Sequence, residues 1–144
     1  MTPPLGPDAA TSARLLHLVT VTDHRGSLHV AEQGPDALPF AVERMFLVTD
    51  VPAGTVRGGH ANRTSHEVLV ATAGSVVVDL HDGSTGSQVV LDRPDVALHL
   101  PPLVWSAQTY GPGSTLVVLA SDRFDPAGHI DDFDEYRALV ASTR

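Results

Sequence analysis

The sequence predicts an all-β domain that ends in one short helix. Strand-forming runs of about 5–9 residues follow one another, with clusters of Gly, Pro, Asp or Ser between them. No apolar pattern with the helical period appears until the C-terminal end of the chain. The 144 residues are 42% hydrophobic and 18% charged, which suits one globular domain with a hydrophobic core. We therefore expect a β-sandwich or β-barrel.

The first predicted elements are a tail and a hairpin. Residues 1–14 are rich in Pro, Gly and small polar residues and predict a flexible tail, which leaves residues 15–144 as the single domain. Two strand-like runs follow, Leu15–Thr22 and Ser27–Glu32, and the turn signal DHRG separates them. This arrangement predicts a β-hairpin.

Seven further strands and a helix complete the predicted domain. The strand-like runs are VERMFLVTDV, EVLVATAG, SVVVDLHDG, SQVVLD, VALHLPP, VWSAQTY and STLVVLASD. The helix is predicted in DDFDEYRALVAS, where Phe133, Tyr136, Leu139 and Val140 have helical spacing. Aspartates before this pattern can cap the start of the helix, which we expect to pack on the barrel.

Charge and cysteine content limit the possible functions. The formal net charge of −8 argues against nucleic acid as a partner, because binding to phosphates needs an excess of Lys and Arg. The absence of cysteine excludes disulfides, thiolate metal sites and thiolate nucleophiles. No apolar run approaches the roughly 18 residues of a membrane span, and no secretory signal pattern is present. We expect a cytoplasmic protein that binds a small molecule, with no membrane partner.

The segment RGGHANRTSHE, residues 57–67, is the most informative for function. Its spacing, G-x5-H-x-N-x4-E-x6-G from Gly54, matches the first motif of the cupin superfamily. Asn62 stands where that motif usually has a second histidine. His60 and Asn62 share a strand face, and Glu67 starts the next strand, so the three side chains can converge inside a cupin-type jelly-roll barrel. We take all three as candidate catalytic residues.

A longer resemblance points to one branch of the cupins. The stretches DHRGSLHVAEQGPDALPFAVERMFLVTDVPAGTVRGGHANR, LPPLVWSAQ and LVVLASDRFD resemble the WxcM-like sugar-nucleotide 3,4-ketoisomerases, over about residues 17–137. The resemblance implies a jelly-roll homodimer with exchanged N-terminal strands and no metal or other cofactor. It also implies an enzyme that moves the carbonyl of a nucleotide-linked 4-oxo-6-deoxy sugar, typically on thymidine diphosphate, from C4 to C3.

The resemblance also implies roles for particular residues. Arg57 and His60 match the family's RGxHAH segment and would be active-site residues, and Arg25 in RGSL would contact the diphosphate. Arg44 lies in another matching stretch and is a further candidate for binding the substrate, since guanidinium groups suit a diphosphate.

Three departures from the family pattern reduce the groups available for proton transfer. Asn62 replaces the second histidine of HAH, and Ser106 replaces the histidine of a Trp-His pair. Phe46 and Leu47 occupy a strand in which family members tend to have tyrosine. Asn and Ser can hydrogen-bond a sugar oxygen, but neither titrates near neutral pH.

Two titratable residues remain in the motif. His60 has an ordinary pKa near the working pH and is the predicted base, while Glu67 is a second candidate if burial raises its pKa. Asn62 either holds the oxygen that gains charge or caps the turn that follows it, and both interpretations remain open.

Strand alternation adds further candidates for substrate binding. Ser106, Gln108 and Tyr110 share one face of VWSAQTY, although Tyr110 is equally consistent with a core tyrosine. His99 alternates with apolar neighbours, so it is a candidate to point into the barrel and bind the substrate, and whether His99 or His66 replaces the missing histidine remains open. His66 should point away from the face of Glu67, unless loop geometry breaks the alternation. The other histidines are expected on the surface: His17, His24, His29, His81 and His129.

Other functions remain open. A nucleotide-sugar-binding cupin without catalysis would explain Asn62 and Ser106, and epimerisation or dehydration would begin with the same proton abstraction as isomerisation. A metal-dependent cupin would need His99 or His66 beside His60 and Glu67, because one imidazole and one carboxylate make a weak site. We therefore expect no catalytic metal.

Overall fold

The computed structural model describes residues 12–35 and 37–143. The strands in these ranges are β1 (Arg14–His17), β2 (Val19–Asp23), β3 (Gly26–Val30), β4 (Arg44–Val48), β5 (Val56–Asn62), β6 (Glu67–Ala73), β7 (Val76–His81), β8 (Gly86–Leu91), β9 (Val96–Leu100), β10 (Trp105–Tyr110), β11 (Thr115–Ala120) and β12 (His129–Ile130). A short 3-10 helix, Pro126–Gly128, precedes β12, and helix α1 covers Phe133–Ser142. Residues 1–11 of the predicted tail lie outside the description.

Two five-stranded antiparallel sheets form the body of the structure. One has the order β1-β9-β6-β11-β4 and the other β12-β5-β10-β7-β8. Their inner faces bury a shared core, to which β6, β9 and β11 contribute Leu69, Leu98 and Leu116. The facing sheet contributes Val78 and Leu91. The predicted all-β jelly-roll barrel with one C-terminal helix is confirmed.

The predicted N-terminal hairpin differs from expectation in its first strand. The run Leu15–Thr22 is divided at Leu18, whose N–H donates to the carbonyl of Asp95 at 2.8 Å. The part before this break is β1 and pairs with β9. The part after it is β2, which among the described residues pairs only with β3. The β2-β3 hairpin therefore forms a separate two-stranded sheet, and most of its residues are exposed.

Helix α1 forms where the sequence predicts it. The carboxylate of Asp132 accepts a hydrogen bond from the N–H of Glu135 at 2.8 Å and caps the helix start. Tyr136 is fully buried, and its hydroxyl donates to the carbonyl of Leu103 at 2.7 Å. The helix packs with Ala61 of β5 and Ile130 of β12 in a cluster of buried residues. No helix in the described ranges is long and apolar enough to cross a membrane.

A bulge in β5 sets the direction of the functional side chains. Ser106 of β10 is paired with His60, but the next residue of β10 is paired with Gly58, so Gly59 is an extra residue. Gly58 and Gly59 have φ values of 78° and 75°, a region that favours glycine. Arg57 and His60 are three residues apart and would lie on opposite faces of a regular strand. The bulge brings both to the same cavity.

Candidate active site

A cavity of about 290 Å³ opens between the two sheets. Its apolar wall includes Phe46 of β4 and Leu69 of β6. Its charged and titratable lining consists of Arg44, Arg57, His60, Glu67, Tyr110 and His129. Five of these six residues were predicted from the sequence as site residues, and the sixth, His129, was not.

His60 lies near the end of β5 and is half-buried. Burial lowers the pKa of its imidazole, and the carboxylate of Asp131 and a hydrogen bond with the Gly58 backbone oppose this effect. The ring stacks on His129, with centroids 4.2 Å apart and planes inclined by 14°. A neutral imidazole that faces a cavity is a suitable general base.

Glu67 is the first residue of β6 and is 8% exposed. Burial raises the pKa of its carboxyl, whereas a side-chain hydrogen bond with Asn62 and the charges of Arg44 and His129 lower it. The motif residues Asn62 and Glu67 are therefore in contact, as their spacing predicts. Asn62 is itself buried, and its amide binds the carboxyl of Glu67.

Two of the three predicted binding arginines face the cavity. Arg57 and Arg44 line it, and the Arg44 guanidinium lies 5.1 Å from the centroid of the Phe46 ring. The Nε of Arg44 is buried and has no hydrogen-bond partner among the described residues. Arg25 lies instead at the β2-β3 turn, where its side chain is 79% exposed and pairs with Asp23 at 2.6 Å. Within one chain Arg25 is not part of the cavity.

Strand β10 contributes two of its three predicted residues directly to the lining. Gln108 and Tyr110 face the cavity. Ser106 is buried, and its hydroxyl accepts a hydrogen bond from Nε2 of Gln108 at 3.0 Å, so it orients the amide of Gln108. Burial raises the pKa of Tyr110, and the positive charge of Arg57 opposes this shift.

The expectation that His99 points into the barrel is wrong. Leu98 and Leu100 occupy the core-facing positions of β9, and alternation places His99 on the opposite face. There it contacts His66, with Nε2 of His99 and Nδ1 of His66 3.0 Å apart, and the ring of Phe40. Burial and the nearby His66 lower the pKa of His99 to about 4. Neither His99 nor His66 replaces the missing histidine of the motif.

His129 is the site residue that sequence reasoning missed, because it was expected on the surface. It belongs to the two-residue strand β12 and is paired with Asn62 of β5. This pairing holds its ring against His60 and at the cavity. The side-chain atoms of His60, His129 and Asp131 that could bind a metal ion lie within 4.8 Å of one another. A strand of two residues is too short to show alternation, so no local pattern in the sequence predicts that His129 faces the cavity.

Fold and site together define a cupin-type barrel with a cavity lined by two arginines, two imidazoles and a buried carboxyl. Two arginines can bind negative charge, and the imidazoles and the buried carboxyl can move protons.

Comparison with known proteins identifies the family of this chain. The family model FdtA, described as WxcM-like, C-terminal, matches residues 11–141. A TDP-4-oxo-6-deoxy-alpha-D-glucose-3,4-oxoisomerase of Aneurinibacillus thermoaerophilus is 31% identical over 129 residues, which are 89% of this chain and 92% of that protein. The chain therefore belongs to the WxcM-like family.

Two solved structures agree with this assignment. A 3,4-ketoisomerase from Helicobacter canadensis is 30% identical with a TM-score of 0.86, over 90% of this chain and 98% of that chain. The sugar 3,4-ketoisomerase QdtA from Thermoanaerobacterium thermosaccharolyticum, in complex with TDP, is 29% identical with a TM-score of 0.88, over 93% and 98%. The predicted family resemblance and the predicted enzyme class, a deoxysugar-biosynthesis isomerase, are confirmed. The roles of individual cavity residues stay predictions.

Proposed function

We propose that the protein is a cytoplasmic 3,4-ketoisomerase that acts on a thymidine diphosphate-linked 4-oxo-6-deoxyhexose. The observation that carries this proposal is the position of His60, whose imidazole faces a cavity that two arginines also line. The cavity of about 290 Å³ is at the lower end of the roughly 300–1,000 Å³ of small-molecule sites. Its size suits the sugar, with the nucleotide extending outward.

The reaction requires only proton transfers. His60 removes the proton from C3, the electrons of the C3–H bond form a C3–C4 double bond, and the C4 oxygen gains negative charge. Return of a proton to C4 and transfer of the proton of the C3 hydroxyl to the C4 oxygen complete the shift of the carbonyl. Burial lowers the pKa of His60 and so keeps it neutral, as a base must be. Arg57 and Gln108, which also line the cavity, can bind the oxygen atoms that change charge.

Deuterium incorporation at C3 tests this function. Wild-type protein incubated in heavy water with TDP-4-oxo-6-deoxyglucose is expected to exchange the C3 hydrogen and to form the 3-oxo sugar, both measured by NMR. Exchange follows from proton abstraction and is visible even where net conversion is slow. Tight binding of the sugar nucleotide without any exchange would contradict the proposal and favour a binding protein that has lost catalysis.

We also propose that two copies of the chain form a dimer through the β2-β3 hairpin. One face of this hairpin carries Val19, Val21 and Leu28, which are 67%, 56% and 62% exposed. An isolated two-stranded hairpin is marginally stable in water, so this apolar face needs a partner surface. Edge strand β4 exposes Met45 and Leu47, each at 57%, and offers such a surface on a second copy. Packing of the hairpin on a second copy would place Arg25, which lies at the hairpin turn, against the neighbouring subunit.

Sedimentation should therefore give a dimer at micromolar concentration. A double substitution of the apolar face, Val21→Ser with Leu28→Ser, is expected to shift the protein toward the monomer, because it removes the apolar area that a partner would cover. The matched control is Thr20→Ser on the polar face of the same hairpin, where Oγ1 of Thr20 lies 2.9 Å from Nδ1 of His29. Wild-type protein that sediments as a monomer would rule out the proposed dimer.

A further inference from the structure

His129 occupies a position at the cavity that is fixed by the fold. Strand β12 pairs with the end of β5, which sets the ring of His129 parallel to that of His60 with centroids 4.2 Å apart. The rings of Phe124 and His129 meet edge-on, with centroids 6.3 Å apart. A carboxylate oxygen of Asp131 lies within 4.8 Å of a ring nitrogen of each of the two imidazoles. The two rings therefore form an ordered pair at the cavity wall.

The proposed reaction needs a second group that transfers protons. One proton moves between C3 and C4, and another moves between the two oxygen atoms. Phe46 and Gln108 line the cavity but do not titrate. The carboxyl of Glu67 is held by Asn62, and burial raises the pKa of Tyr110 further from neutral pH. His129 is the titratable lining residue whose ring is in contact with that of His60.

We propose that His129 is a second catalytic acid–base residue, and that it works with His60 as a pair that holds one proton. This inference rests on the proposed ketoisomerase function. In the complex with the anionic substrate, His60 is neutral and His129 carries the proton. His60 takes the proton of C3, the C3–C4 double bond forms, and the C4 oxygen takes the proton of His129. His60 then returns its proton to C4, while the C3 hydroxyl gives its proton to His129 and the C3 carbonyl forms.

Burial lowers the pKa of both imidazoles, and the charges of His60 and Arg44 lower that of His129 further. The positive charge of either ring also opposes a second proton on its neighbour, so the pair holds at most one proton. The carboxylates of Asp131 and Glu67 act in the opposite direction and raise the pKa of His129. Asp131 also raises the pKa of His60. An anionic diphosphate bound at the arginines adds negative charge that favours one proton on the pair.

The test compares wild-type protein with His129→Phe, which retains an aromatic ring for stacking but cannot carry a proton. With TDP-4-oxo-6-deoxyglucose, kcat is expected to fall by about 10²-fold or more, while TDP affinity is retained. The kcat of the wild type should decline on the alkaline side as His129 loses its proton, and His129→Phe should lack this alkaline limb. A residue that only positions His60 would lower kcat without removing a limb.

Three outcomes would overturn the inference. The first is His129→Phe with wild-type kcat on an active enzyme, which leaves the ketoisomerase function itself intact. The second is a stoichiometric metal whose removal by a chelator abolishes turnover, because the two imidazoles would then be ligands. The third applies even if His129→Phe fails to fold: ¹⁵N NMR of the wild-type TDP complex would show both rings neutral at neutral pH, instead of one proton on the pair. Absence of turnover and C3 exchange in the wild type would instead contradict the proposed function.

Discussion

Replacement of His60 by asparagine is expected to lower turnover of TDP-4-oxo-6-deoxyglucose by about 10²- to 10⁴-fold. Asparagine can hydrogen-bond but cannot accept a proton near neutral pH, so abstraction from C3 loses its base. Deuterium exchange at C3 should be lost together with net conversion. The affinity for TDP should remain, because Arg57 and Arg44 still line the cavity.

The matched control for this substitution is His99→Asn. His99 is also a partly buried histidine on a strand, but it contacts His66 and Phe40 outside the cavity. Turnover by His99→Asn should equal that of the wild type at a temperature where both are folded. Equal losses in the two variants would indicate a general effect of replacing a partly buried histidine, and would remove the role of His60 as the base.

The pKa of His60 also predicts the acidic side of the pH profile. Burial lowers this pKa, so the imidazole stays neutral to lower pH than a free histidine does. The kcat/KM of the wild type should therefore stay high as the pH falls past the ordinary histidine pKa, and should decline only when His60 is protonated.

Local patterns were sufficient to predict most of the strands and the centre of the site. Turn residues separate the strand-forming runs, and His60, Asn62 and Glu67 lie within eight residues, where strand alternation alone brings them together. The apolar spacing of α1 and the aspartate before it are equally local signals. Each of these features depends on short-range geometry.

The errors concern contacts that depend on which sheet a strand joins. The run Leu15–Thr22 has uniform strand propensity, but β1 joins one five-stranded sheet and β2 pairs with β3 in a separate sheet. His99 alternates with Leu98 and Leu100, and burial of these two leucines decides that it faces outward. The pairing of β12 with β5 holds His129 in place, and no pattern in the sequence predicts this pairing. Tertiary packing decided all three cases.

The bulge in β5 carried a signal that can be interpreted from the sequence. Two consecutive glycines inside a strand mark a bulge or a close approach of the backbone. Here both apply, because Gly59 is the unpaired residue and Gly58 lies against the side chain of Gln108. Strict alternation would have placed Arg57 and His60 on opposite faces, whereas the family resemblance implied that both belong to the site.

Substitution of Gly58 by alanine is therefore expected to reduce both stability and activity. The φ of 78° is unfavourable for alanine and costs roughly 1–2 kcal/mol of folding free energy. In addition, the new Cβ would lie 2.6 Å from Oε1 of Gln108. The amide of Gln108 is the movable partner, so it should turn away and lose its hydrogen bond to Ser106, now 3.0 Å long. Loss of this oriented amide should lower kcat/KM by about threefold to tenfold.

Gly59→Ala separates these two effects. Its φ of 75° imposes a similar backbone cost, but a Cβ at this position meets no atom within 4 Å. Thermal unfolding should show a comparable decrease in Tm for both variants, of about 2–8 °C for a chain of this size. Only Gly58→Ala should lose kcat/KM for the sugar nucleotide, since only it displaces Gln108. If the two variants lose activity equally, the bulge acts through the backbone that aims Arg57 and His60, and the orientation of Gln108 by Ser106 does not matter for turnover.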